Sequence, residues 1–348
     1  MEEKKKKNII KPLLWIFGVL FLLVIGAGIY AYKTVFEPIK LDETTFIFIN
    51  NNTNFEDVVN ILDTEVGLPN ERIFRLLAER MNYPNMVRNG RYAIQNGMTM
   101  LDVIRLLRSG NQEPIRLTFN NVRTRETLAG RLSEPLMLDS LSLLNALNDV
   151  TIAESFGFNE DTFLAMFIPN TYEIFWNISV ENLLNRMKRE YDIFWNENRR
   201  NRAAAIGLSP LEVSILASIV EEECMFADEY SKVAGLYLNR LRRGMRLEAD
   251  PTVKFALGDF ELRRILFRHL EVDSPFNTYR NVGLPPGPIR VPSIQAIEAT
   301  LSPTQHNYIF MCAKDDFSGR HAFAVTHAEH ARNAARYHRA LNERRIFQ

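Results

Sequence analysis

The arrangement of apolar and polar positions changes character along the chain. From position 12 to 32 (PLLWIFGVLFLLVIGAGIYAY) no charged residue interrupts an apolar run. About 20 residues rising 1.5 Å each cover a hydrocarbon core of roughly 30 Å, so residues 12–32 are expected to form a transmembrane helix. The run is too long for the apolar part of a cleaved signal peptide, and Tyr30, Tyr32 and Lys33 at its end suit an interfacial anchor. Lys4 to Lys7 and Lys11 precede it, so the positive-inside rule makes residues 1–11 a cytosolic tail and leaves the rest of the chain outside the cytosol. After a linker, residues 33–43, the pattern shortens. Residues 44–50 (TTFIFIN) are β-branched and aromatic, hence a strand. Asn54 is placed to cap a helix carrying Val58, Val59, Ile61 and Leu62. A second helix spans 70–81, GRYAI (90–94) returns as a strand, and residues 100–109 form a helix closed by Gly110.

Farther on, residues 114–120 alternate like a strand, 123–134 and 136–148 have helical periods, and 179–199 reads as one long amphipathic helix. The aromatic-rich stretch 163–176 contains Pro169-Asn170 and reads as a strand or buried segment with a turn. Ser209 and Pro210 open a helix. Another covers 228–243 and ends at Gly244. Asp250-Pro251 is expected to impose an extended or turn geometry. Residues 274–292 form a proline-rich loop, followed by a helix at 293–301, strands at 308–313 and 320–325, and a final helix opened by the capping box Thr326-His-Ala-Glu329.

The helix beginning at Pro210 ends in three acids, Glu221, Glu222 and Glu223. At about 100° per residue, Glu223 points within roughly 20° of the mean apolar direction, while Glu221 and Glu222 point more than roughly 100° away. Two are therefore expected to be solvated, and one is driven to the apolar side. A carboxyl there loses hydration, its pKa rises, and an acid still protonated near neutral pH can donate to a glycosidic oxygen. The competing reading is an ion pair of Glu223 with Arg240 or Arg246. Arg246, Glu248 and Asp250 bring further charges to one segment, where Glu248 can sit across a cleft from Glu223. In the proline-rich loop, Asn277, Thr278 and Tyr279 offer hydrogen-bonding groups and an aromatic ring suited to a sugar.

Composition narrows the picture. The 348 residues carry 42 basic and 42 acidic side chains, without the basic excess of a nucleic-acid binder. The two cysteines, Cys224 and Cys312, make neither a disulfide framework nor a zinc pattern. The histidines lack metal-site spacing, and no nucleophile elbow or phosphate loop occurs, so no metal and no cofactor are expected.

Several long motifs then fall in order: ASIVEEE, KVAGLYLNRLRRGMRLEADPTVKFALGD, FNTY, GLPPGPI, HAF and EH. Together they closely resemble the MltG (YceG-like) endolytic murein transglycosylases, and the strand-helix-helix-strand region resembles a LysM-like glycan-binding module. The resemblance implies an α+β fold: a transmembrane helix, a small βααβ LysM-like module at 44–112 and a larger mixed α+β catalytic domain at 113–348. The family's catalytic glutamate falls on Glu223. Asn239, in the second motif, joins Asn277, Thr278, Tyr279, Arg246, Glu248 and Asp250 as expected substrate-binding residues. The sequence departs from the family where acids are usual, at Leu164 and Asn170, and carries Glu248-Ala249 before Asp250-Pro251.

What the resemblance implies is a single-pass protein of the inner cell membrane, with peptidoglycan glycan strands as substrate and peptidoglycan synthases as expected neighbours. Its catalytic part would lie outside the cytosol and cut MurNAc–GlcNAc β-1,4 bonds in nascent strands, leaving 1,6-anhydro ends and terminating elongation. The rival expectations are a hydrolytic muramidase and a non-catalytic, membrane-anchored glycan-binding scaffold.

Overall fold

The structure is a computed structural model and describes residues 10–262 and 264–344. The lysines at 4–7, on which the expected cytosolic orientation rests, lie outside the described residues. The chain forms two compact units. One runs to Ile115 and includes Glu173–Asn177; the other comprises Arg116–Tyr172 and the chain from Ile178 onward.

The first unit begins with helix α1 (Ile10–Val35). Within it Leu14–Val35, 22 residues, is long and apolar enough to cross a membrane. Strands β1 (Thr45–Ile49) and β2 (Gly90–Ile94) pair antiparallel, with Thr45 opposite Ile94 and Ile49 opposite Gly90. Between them lie helices α2 (Phe55–Glu65) and α3 (Glu71–Arg80), and α4 (Met100–Ser109) follows. The alternation of β1 sends Ile47 and Ile49 inward to Val58, Val59, Leu62, Phe74 and Tyr92, and leaves Phe46 and Phe48 exposed. Asn54 caps α2 in a complete capping box, and Gly110 ends α4 in the left-handed conformation. The strand-helix-helix-strand order is thus as the sequence pattern suggests.

The second unit is mostly helical. From Arg116 it takes up the short strand β3 (Ile115–Thr118), which leads to α5 (Arg125–Ser133), α6 (Ser140–Asn148) and α7 (Val150–Ser155), then a 3₁₀ turn at Phe163–Met166 and the part of strand β4 (Thr171–Ile174) up to Tyr172. The Thr118 and Thr171 hydroxyls meet at 2.7 Å, and Phe119 stacks on Tyr172. The expected long helix at 179–199 is two helices, α8 (Val180–Phe194) and α9 (Glu197–Ala205). Asn196 explains the break: its side chain caps α9 by accepting from Arg199 N, while Arg199 and Arg200 reach back to the Phe194 and Trp195 carbonyls.

Helix α10 (Pro210–Glu223) opens with Ser209 and Glu212 in a capping box. All eight residues from Val213 to Val220 are buried, so beyond its first turn it has no solvated face until its last one. It packs against α9, α11 (Tyr230–Arg242), α12 (Asp250–Leu257) and α14 (Ile294–Leu301). The Asp250-Pro251 step begins helix α12 rather than an extended turn, because proline in a first turn forfeits no helical hydrogen bond. A short helix, α13 (Phe267–Leu270), precedes the proline-rich loop. Antiparallel strands β5 (Phe310–Ala313) and β6 (His321–Ala324) and helix α15 (His327–Glu343) complete the unit.

Glu221 and Glu222 are not the solvated residues that the helical wheel implies. Glu222 receives two hydrogen bonds from Arg123, at 2.8 and 2.9 Å, and one from Arg290 at 2.7 Å. Glu221 accepts from the Ser293 amide at 2.7 Å and lies 3.7 Å from Arg290. The wheel assumed one apolar face, whereas a helix buried all round must neutralise its acids with buried cations. Loss of the Glu222 carboxylate in Glu222→Ala leaves the buried Arg290 short of a partner and should cost about 1–3 kcal/mol. The exposed pair of Glu56 with Arg75 should cost less than about 1 kcal/mol in Glu56→Ala. Urea unfolding of the two variants would test that order.

Candidate active site

Glu223 is the last residue of α10, where the buried helix emerges at a cavity of about 960 Å³. Residues from α10, α11, α12, β5, β6 and α15 line it. Glu223 is half-buried there, and its carboxyl is raised from an ordinary 4.5 to about 8. Burial is the largest cause, and the nearby Asp250 charge is the second. The Tyr237 hydroxyl, Lys254 and Arg240 pull in the opposite direction by less. Tyr237 favours the ionised form, yet its buried hydroxyl makes no full hydrogen bond of its own.

The competing reading, an ion pair of Glu223 with Arg240 or Arg246, is not formed with either candidate. Arg240 is buried and donates to the carbonyls of Ile309, Arg246 and Leu247 and to Glu248 at 2.9 Å. It is a structural cation, unavailable to a substrate carboxylate. The Arg246 side chain is exposed and is not part of the cavity lining.

Glu248, Asp250 and Tyr279 do line the cavity with Glu223. Glu248 adopts φ +52°, costly for a residue with a Cβ, between the buried Leu247 and Ala249. Its amide donates to the Thr278 carbonyl, and Arg240 holds its carboxylate. It is therefore Asp250, not Glu248, whose charge opposes ionisation of Glu223. The Tyr279 hydroxyl donates to Asp250 Oδ1 at 2.6 Å, orienting that carboxylate.

The remaining expected residues act behind the wall. Asn277 is fully buried; its amide donates to Leu270 and Val272 carbonyls, and its oxygen accepts from Tyr279 N. Thr278 Oγ accepts from Ala249 N and bonds Thr252 Oγ at 2.8 Å. Both are scaffolds that carry Tyr279 and Asp250 to the cavity, rather than groups lining it. Asn239 donates to the His306 and Tyr308 carbonyls and pins the approach to β5 onto α11. That approach needs Gly235, since a Cβ there would strike the Thr304 carbonyl.

Sequence reasoning missed Tyr237, Lys254, His321 and the α15 wall with Tyr337 and His338. Tyr237 fits the apolar period of α11 and so reads as core. His321 could have been found, because HAF is one of the motifs that remained without a role.

The raised carboxyl has a consequence for stability. The native state holds the Glu223 proton up to about pH 8, while the unfolded chain releases it near 4.5. Between these values the native state binds more protons, so this contribution is full below the unfolded value and is lost as pH rises through the folded one. Glu223→Gln should therefore gain stability relative to the unmodified protein as pH rises through this window, as read by thermal melts. Asp250→Asn removes the like charge and should lower the Glu223 pKa, a shift measurable by carboxyl-carbon NMR.

The YceG-like family profile matches residues 47–336. The endolytic murein transglycosylase of Bacillus subtilis (strain 168) is 26% identical over 344 residues, covering 92% of this chain and 93% of that protein. The endolytic murein transglycosylase of Streptococcus pneumoniae serotype 2 (strain D39 / NCTC 7466) is 25% identical over 361 residues; the match covers 92% of this chain but only 64% of the pneumococcal protein. The crystal structure of a putative yceG-like protein from Listeria monocytogenes superposes with a TM-score of 0.56 at 26% identity, covering 83% of this chain and 99% of that one. With the family profile extending across both structural units, the chain belongs to the YceG-like family.

Proposed function

We propose that this protein is a membrane-anchored endolytic peptidoglycan lytic transglycosylase that cleaves MurNAc–GlcNAc β-1,4 bonds in nascent glycan strands. The observation that carries this reading is the Glu223 carboxyl, held protonated to about pH 8 in an open cavity without either expected arginine as its partner. Protonated, it donates to the glycosidic oxygen as that bond breaks. The C6 hydroxyl of the same MurNAc then closes on the anomeric carbon and gives a 1,6-anhydro end without water. One carboxyl is chemically sufficient, since the carboxylate left by the first transfer can receive the hydroxyl proton. The names of the Bacillus and Streptococcus relatives agree with this activity.

In this reading Tyr279 and Asp250 face the sugar, while Asn277, Thr278 and Asn239 support the wall that presents them. Arg246, exposed beyond the cavity, is available to an acidic peptide stem. The apolar helix α1 anchors the chain in the cell membrane, the βααβ unit acts as a LysM-like glycan holder, and the site works on the extracytoplasmic side beside peptidoglycan synthases. There cleavage ends strand elongation.

A muramidase is the second reading, and Asp250 favours it: hydrolysis of a glycosidic bond ordinarily employs two carboxylates, and Asp250 is a second one beside Glu223. Mass spectrometry of products from purified glycan strands separates the two, because an anhydro end is lighter than a reducing end by one water. We expect anhydro ends from the unmodified protein and none from Glu223→Gln, with binding retained. Anhydro products from Glu223→Gln would refute the assignment, and reducing ends from the unmodified protein would make it a hydrolase. Strand binding without new ends would leave only a scaffold.

A further inference from the structure

The proposed reaction moves two protons, and the cavity contains a second group suited to one of them. His321, at the start of β6, lines the same cavity as Glu223. Its ring is held by Glu229: Nδ1 lies 3.1 Å from Glu229 Oε2, and the His321 backbone N–H donates to Oε1 at 3.2 Å. Both side chains are largely buried, at 14% and 9% exposure. A carboxylate facing Nδ1 selects the tautomer with its proton there, leaving a lone pair on Nε2. Among the described residues Nε2 has no hydrogen-bond partner, and it is not one of the buried atoms that lack partners, so it keeps solvent exposure on a residue that lines the cavity. By contrast, the other carboxylates lining the site beside Glu223 are engaged: Asp250 by Tyr279, Glu248 by Arg240 and Glu222 by Arg123 and Arg290.

Stereochemistry gives this placement its meaning. A 1,6-anhydro product keeps the β configuration at C1, so the bond that breaks and the bond that forms lie on one face of the sugar. The proton donor and the proton acceptor must then share one wall. Glu223 and Glu229 stand at the two ends of the short segment joining α10 to α11, and both act on the Cys224 thiol, whose ionisation they oppose after burial does. Arg320 and His321 tie the hairpin to that segment through Asp228 and Glu229.

We infer that His321, oriented by Glu229, is a further catalytic residue: its Nε2 takes the proton of the MurNAc C6 hydroxyl as O6 bonds to C1. This rests on the lytic reading above. The C1–O4 bond breaks, O4 receives the Glu223 proton, O6 joins C1, and the O6 proton passes to Nε2. The imidazolium so formed is stabilised by Glu229 and returns its proton through solvent to Glu223. Atoms and charges balance with no added reagent.

The test uses the full-length protein in detergent with uncrosslinked glycan strands. His321→Asn keeps an N–H directed at Glu229 and so preserves the tie to the hairpin, but has no basic nitrogen. Its kcat should fall roughly 100-fold or more, and anhydro ends should decline relative to reducing ends as water competes for C1. Exogenous imidazole should restore activity to His321→Gly, which no purely structural role allows. Full activity with unchanged products in His321→Asn, or failure of imidazole to restore His321→Gly, overturns the inference. If Glu223→Gln is silent while His321→Asn cuts at full rate, only the His321 role fails. If Glu223→Gln also cuts, the underlying reading of Glu223 fails with it.

Discussion

Burying α10 on every side forces its three terminal acids into defined environments. A helix with eight consecutive buried residues cannot leave charges on its last turn without partners, since an uncompensated buried carboxylate is expensive. Arg290 answers most of that demand. It bonds Glu222 and Asn121, stands beside Glu221, and comes from the rigid end of the GLPPGPI loop, whose Gly287 packs so closely on the Asp161 backbone that no Cβ fits. Arg123 secures Glu222 from the other side. The end of α10 is thereby locked in rotation: Glu222 reaches the cavity paired with its arginines, and Glu223 reaches it with neither Arg123 nor Arg290 bonded to it.

A related economy governs the cavity. Tyr279 is brought to Asp250 by a buried network in which Thr278 bonds Ala249 and Thr252 while Asn277 holds the loop carbonyls. Arg240 does the corresponding work for Glu248, and its carbonyl contacts also join the α11 end to β5. Networks of this kind rigidify a site when every member is satisfied. The left-handed Glu248 backbone is tolerated because both its amide and its carboxylate are bonded. The site's carboxylates thus differ by partner rather than by chemical type.

Much of the fold could be read along the chain because local signals dominate it. Asn54, Ser209 and Thr326 cap the helices their positions suggest, and β1 and β2 show the expected alternation. The split between α8 and α9 was hidden because Asn196 serves as a cap only once its neighbours fold back on it. Glu223 was singled out by a wheel whose premise of one apolar face does not hold, since α10 is buried all round; its distinction comes instead from partners supplied to Glu221 and Glu222 by residues as distant as Arg123 and Arg290. Asn277, Thr278 and Asn239 looked like ligand-facing polar groups, yet they satisfy backbone atoms, an equally good use of an amide or hydroxyl that sequence spacing cannot separate from binding. His321 gave the opposite error, because its partner Glu229 lies 92 residues earlier.

In the proposed reading, the Glu223 proton joins function to stability. Every feature that keeps the carboxyl protonated near neutrality, burial first and Asp250 second, also makes ionisation in the native state unfavourable. An ion pair with Arg240 would relieve that penalty, but it would lower the pKa and leave no acid to donate. Arg240 is instead engaged by Glu248 and backbone carbonyls. Tyr237 lies close enough to favour the carboxylate without forming a full hydrogen bond, so the ionised state after proton donation retains some support. The arrangement therefore preserves a difference between the two protonation states instead of maximising the stability of either, which is the condition that the proposed reaction sets for one group to release a proton and recover it.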